Sequence, residues 1–235
     1  MKLTIEQIDR LYLFTQQHYV EWYDLQTELV DHLANAIEMQ WEEYPKLTFD
    51  EALNREFKKF GVFGFMDVVE KRQAVLSKKY NRLVWQHFKD FFGVPKIVLT
   101  IAMTLALFSI LKISYYSEWV FMGLFIILIL FSFHEIFKNK KNQKQKLQSG
   151  QKRWLFEEII NQYGGFLGLI SIPINLFPRI FYHSEKYSGN DYWILGLSFL
   201  FALLAVVIFI IFKIIPSKAT EYLMETYPEY KLEKL

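Results

Sequence analysis

Apolar positions along this chain follow two regimes. Up to about residue 92 they recur at three- and four-residue spacing among charged neighbours; beyond that point they fuse into long runs almost free of charge. The first pattern predicts amphipathic helices packed in a small domain, and the second predicts helices that cross a bilayer. Thr4, with Gln7 three residues later, forms a capping box for a first helix that carries Ile5, Ile8, Leu11 and Leu13. A second helix is predicted from about Val20 to Glu43, with Leu25, Leu29, Leu33, Ala36, Ile37 and Trp41 on one stripe, until Pro45 ends it. Thr48 and Glu51 form another capping box, and Ala52, Leu53, Phe57 and Phe60 carry a third helix to a stop at Gly61. A final amphipathic stretch, Met66 to Phe92, leads toward the first apolar run.

Four spans are predicted, at about 97–116, 119–137, 159–183 and 192–213. The first reaches full length only if Lys112 snorkels to the interface, and the second only by including His134 and Glu135 in its last turn. The expected fold is therefore all-α: an N-terminal cytoplasmic helical domain over 1–92, then a four-helix membrane bundle of two hairpins within 93–216. A basic cytoplasmic linker is expected over 138–153 and a cytoplasmic tail over 217–235.

Composition narrows the class further. Hydrophobic residues make up 52% and aromatic residues 18%, which excludes disordered and collagen-like chains. With no cysteine, thiol chemistry, disulfide scaffolds and cysteine-ligated metals are excluded as well. The opening stretch from Met1 to Asp9 is polar and lacks the apolar core of a signal peptide, so no cleavage is expected.

The net charge of +2 conceals a segregation. Glu21, Asp24, Glu28, Asp31, Glu38, Glu42, Glu43, Asp50, Glu51 and Glu56 make the first part acidic, while Lys58, Lys59, Lys71, Arg72, Lys78, Lys79, Arg82 and Lys89 make the next part basic. Basic residues beside a span favour an anionic lipid surface by about 1 kcal/mol each. No nucleic-acid reader motif accompanies them, so direct nucleic-acid binding is not expected. Lys and Arg also set orientation. They gather before the first span, along the linker from Lys138 to Arg153 and in the tail, whereas the opposite side holds Lys112, Arg179 and Lys186. Both termini are therefore expected in the cytoplasm.

Glu118-Trp119-Val120-Phe121-Met122-Gly123-Leu124 and Asp191-Tyr192-Trp193-Ile194-Leu195-Gly196-Leu197 share an acid, an aromatic, a Gly and a Leu in register. Duplicated hairpins of this kind occur in transporters. In the third span Gly164 and Gly168 give the small-xxx-small spacing of close helix packing, and Pro173 and Pro178 predict a kink beside Asn175 and Arg179. A packing helix accounts for these residues, and a ligand or ion pathway at Asn175 and Arg179 is the sharper alternative.

In the first domain Glu28 and His32 have the i, i+4 spacing of a metal pair, but a solvated helix face explains Glu28, Asp31, His32 and Glu38 more simply. They are candidates for binding a protein partner. His134-Glu135 lacks the second His of a zincin, since position 138 is Lys. No catalytic constellation, resident metal or cofactor is expected.

The run Tyr23-Asp24-Leu25-Gln26-Thr27-Glu28-Leu29-Val30-Asp31-His32-Leu33, with Ile37-Glu38, Thr48-Phe49-Asp50-Glu51-Ala52-Leu53 and Phe60-Gly61, resembles the small all-helical HAAS-type domains. The resemblance covers roughly residues 15–75 and none of the apolar region. It implies a domain that precedes spans of the bacterial cytoplasmic membrane, is often encoded beside PadR-like transcriptional regulators, and carries no catalytic residue. At Gly61-Val62-Phe63-Gly64-Phe65 the chain departs from the family's Gly-Asp/Ser-Pro ending. The expectation is a non-enzymatic membrane regulator or adaptor that relays a membrane or envelope signal to a cytosolic partner, with a PadR-like regulator as the partner the resemblance implies. A homo-oligomer is compatible with this reading. A transporter, or a membrane subunit of one, is the rival.

Overall fold

A computed structural model describes residues 2–113, 117–162 and 190–232, all helix and connecting turn with no strand among them. The helices are α1 (Ile5–Gln17), α2 (Tyr23–Glu43), α3 (Phe49–Lys58), α4 (Met66–Asp90), α5 (Lys96–Ile113), α6 (Ser117–Gln148), α7 (Leu155–Asn161) and α8 (Asp191–Phe209). After α8 come a π-helical turn, Ile210–Ile214, a short turn, Ile215–Ser217, and two helices, Ala219–Thr226 and Pro228–Leu232. Both capping boxes form: Gln7 and Glu51 each exchange hydrogen bonds with the Thr that precedes its helix. The Thr48 contacts hold the Glu51 carboxyl below its ordinary pKa.

The chain folds into two compact units and passes between them four times. The first unit takes Met1–Lys78, Lys146–Ile159 and Leu223–Leu235. It thus draws in segments that the polar pattern alone assigns to a linker and a tail. Its core is the stripe predicted for α2, with Leu25, Leu33 and Ile37 fully buried beside Leu11 of α1 and Ala52 of α3. The ring of Phe57 meets Phe14 at 5.1 Å and Phe65 at 5.0 Å, both edge-on. Gly64 turns the chain there with φ +55, and a Cβ on it would meet the Phe57 ring at 3.0 Å.

The second unit takes Lys79–Gln145 and Ile160–Tyr222. Three of its helices are long and apolar enough to cross a membrane: Lys96–Ile113, Trp119–Gln148 and Asp191–Ser217. Leu107, Leu111, Phe121, Phe125, Phe201 and Ala202 form their shared core. Leu99, Leu105, Ile127, Leu130 and Leu200 stay exposed, as expected of helices that are apolar on every side.

Two expectations shift. The basic linker expected over 138–153 is helical for most of its length, because α6 continues to Gln148. Lys and Gln are good helix formers, and the first breaker is Gly150, whose φ of +79 ends the helix. The last span is not uniformly α-helical either. Pro216 lacks an N–H and its ring clashes with a carbonyl one turn back, and the preceding residues relieve this by widening to a π turn in which the Ile215 N–H reaches the Ile210 carbonyl. The expected third span, 159–183, lies mostly outside the described residues. So do Gly164, Gly168, Pro173, Asn175, Pro178 and Arg179.

Candidate functional site

Helix α2 begins with an unmet need. Its N-cap is Trp22, which offers no side-chain acceptor for the free N–H groups of the first turn. The start of α7 supplies one from far along the chain: the Tyr23 N–H donates to the Arg153 carbonyl at 2.8 Å. The debt is returned by Asp24, whose Oδ1 accepts the Leu155 N–H at 3.1 Å, and the next N–H, of Phe156, donates to the Tyr227 hydroxyl at 3.3 Å. Two helix N-termini and the C-terminal tail therefore satisfy one another's backbone groups.

Aromatic packing closes this junction. Trp154 is only 2% exposed. Its ring centroid lies 5.3 Å from Tyr23, 4.8 Å from Tyr227 and 5.3 Å from Tyr230. Lys152 sits 3.5 Å above the outer ring, that of Tyr23. Around the rim, the Trp22 indole N–H donates to Glu158 at 2.7 Å, Arg153 bridges Glu21 and Glu158, and Lys146 pairs with Glu157 at 2.6 Å.

Burial raises the pKa of Asp24, a trend opposed by the Tyr227 hydroxyl, the Leu155 N–H and the Arg72 guanidinium. Its Oδ2 is buried without a hydrogen bond of its own. Burial, with the Asp24 charge alongside, raises the Tyr227 pKa so that the phenol keeps its proton. These groups include no paired nucleophile and base. The arrangement fixes the start of α2 to the segment after α6 and to the tail.

The residues singled out from the sequence fall elsewhere. Glu28 and Asp31 are exposed on α2. His32 is turned toward Glu56, 4.0 Å away, and the ring of Phe60. The Glu38 carboxylate accepts the Leu3 N–H at 2.9 Å, anchoring the chain before α1. Glu28, Asp31 and His32 thus share one stretch of surface, and Glu38 is occupied within the fold. Among the described residues no three His, Asp or Glu side chains gather as metal ligands do.

Sequence reasoning overlooked Asp24 as a site residue, and Trp154 and Tyr227 altogether. The available signals were the missing cap at Trp22, the aromatic Trp154 inside a basic stretch, and the Tyr222, Tyr227 and Tyr230 series in a short polar tail. The chain matches no family model, no curated protein and no solved structure.

Proposed function

We propose that this chain is a non-enzymatic membrane regulator or adaptor, relaying a membrane or envelope state to a cytosolic partner through its first unit. The observation that carries this reading is the junction at Asp24. The segment after the second apolar helix and the segment after the last one both end in the unit formed by α1–α3. A rearrangement of the apolar helices therefore has covalent routes into that unit. The exposed carboxylates Glu28 and Asp31, with His32 beside them, offer the unit a partner-binding face. In this reading the first unit and both termini lie in the cytoplasm of a bacterium, four spans cross its inner membrane, and basic residues such as Lys89, Lys138 and Lys141 rest on anionic lipid. The HAAS-like segment makes a PadR-like regulator the first partner to seek.

The test is a pull-down of the tagged full-length chain from its native membranes, with mass spectrometry, comparing wild type with the Glu28→Lys/Asp31→Lys double variant. Recovery of a cytosolic DNA-binding protein by wild type and its loss in the variant supports the relay. Equal recovery by both removes the proposed face.

One observation favours a transport subunit as the second reading. In the second unit Glu135 is 6% exposed, and its carboxylate has Lys213 of the π turn 3.9 Å away. Buried charges among membrane helices often mark ion or substrate pathways, and π turns are frequent at functional sites. Co-purification of an ATPase or other membrane components, unaffected by the double variant, points to this reading.

A further inference from the structure

Where α4 ends, a histidine is held between two oxygen groups. His87 Nε2 lies 2.6 Å from the Tyr222 hydroxyl, and its Nδ1 lies 3.5 Å from the Asp90 carboxylate. With the carboxylate facing Nδ1, the proton belongs on that nitrogen, leaving Nε2 to accept from the phenol. Tyr222 is 6% exposed and sits in the helix Ala219–Thr226, so the bond ties the end of α4 to the segment that follows the last apolar helix. The position matters because the chain leaves the second unit for the first immediately after Tyr222.

We propose that Asp90, His87 and Tyr222 form a pH-operated latch, closed while His87 is neutral and released when it gains a proton. Protonation puts a hydrogen on Nε2 and reverses the sense of the 2.6 Å bond. It also adds a positive charge within the electrostatic reach of Lys218, which precedes the tail helix, and Lys96, which opens α5, while Asp90 alone among these neighbours favours the cation. The latch stands on these contacts and is independent of any partner of the first unit.

The direction of the response follows. Burial, then Lys218, lower the pKa of His87 from its ordinary 6.5, and Asp90 only partly offsets them. A lowered histidine pKa means that the closed form resists protonation. The latch is therefore fully stabilising above about 6.5 and loses strength as pH falls through the lowered value.

Because the chain contains no cysteine, spin labels can be placed without removing native residues. Gln86→Cys and Glu221→Cys are both at exposed positions of the second unit, one on each side of the latch. Their separation is measured in the full-length chain in lipid nanodiscs, from about pH 7.5 down to about pH 4.5, a range that extends well below the ordinary histidine value. A narrow distance distribution at the higher pH that broadens reversibly at the lower one is expected. His87→Gln, neutral at both, should stay narrow throughout, and Tyr222→Phe should be broad throughout. An unchanged wild-type distribution, or the same acid response in His87→Gln, overturns the proposal. Circular dichroism on each sample separates release of the latch from loss of the helices.

Discussion

In the first unit Asp24 takes its hydrogen bond from a residue 131 positions away, whereas in the second Thr104, Ser132 and Ser198 each donate to the carbonyl four residues back in their own helix. Thr100 does the same at 3.3 Å. Charge pairs between the unit's apolar helices join Lys112, at the end of α5, to Asp191, at the start of α8, at 2.6 Å, and Lys213 of the π turn to Glu135 within α6 at 3.9 Å. The contrast has a physical source. In hydrocarbon an unpaired polar group costs several kcal/mol, so each apolar helix must satisfy its own hydroxyls before it meets another. Its helices then associate through side chains such as Phe121, Phe125 and Phe201. The start of α2 instead leaves backbone groups open until a distant segment arrives, and those groups then specify which segment it is.

The sharpest way to break this comparison is Trp154→Ala. Truncating a buried aromatic costs about 3–5 kcal/mol. Hydrogen exchange should rise across 155–159 and 223–230, with protection in α5 and α8 unchanged; a joint loss in both units would show that they are one cooperative structure.

Asp24→Ala comes next. It leaves the Leu155 N–H without its acceptor, an expected loss of about 1–3 kcal/mol in denaturant or thermal unfolding of the first unit. Asp24→Asn keeps an oxygen at that place and should lose much less. The pair also tests the electrostatics. With its folded pKa raised, Asp24 stabilises the junction most below the ordinary value of 3.8, and that contribution fades as pH rises through the raised value. The stability of Asp24→Asn should lack this acid-side trend.

Tyr227→Phe removes one hydroxyl from the junction, at a cost of about 1 kcal/mol. In the wild type the raised pKa means that the unfolded phenol ionises first, so stability should fall as pH climbs past about 10. The Phe variant should be flatter there when followed by tyrosinate absorbance and unfolding together. Smallest of all should be Thr104→Val in the second unit. Its hydroxyl bonds only within α5, so the change in thermal stability in nanodiscs should be at or below about 0.6 kcal/mol. A loss as large as that of Asp24→Ala would erase the contrast between the units.

Much of the local structure could be read from the chain. Thr4 with Gln7 and Thr48 with Glu51 act within four residues, so their caps follow from spacing alone. The apolar runs around Ile101, Leu124 and Leu203 are equally self-contained, because crossing hydrocarbon depends on length and composition. The α6 extension was legible in principle from Lys and Gln propensity, with Gly150 as the first breaker, but the polar run was read only as a basic linker between spans.

The junction belongs to another order of information. Asp24 looks like one of ten acids between Glu21 and Glu56, and Trp154 and Tyr227 look like stray aromatics in polar connectors. Likewise, nothing near His87 announces Tyr222, 135 residues later. Local signals in the chain determine the capped helix starts at Thr4 and Thr48 and which helices are apolar enough to cross a membrane, because caps and hydropathy act over a few residues. Tertiary structure alone decided that the segment after α6 and the C-terminal tail complete the first unit. Those partners meet only after the chain has folded back, when unfilled N–H groups, buried carboxylates and aromatic faces find the groups that satisfy them.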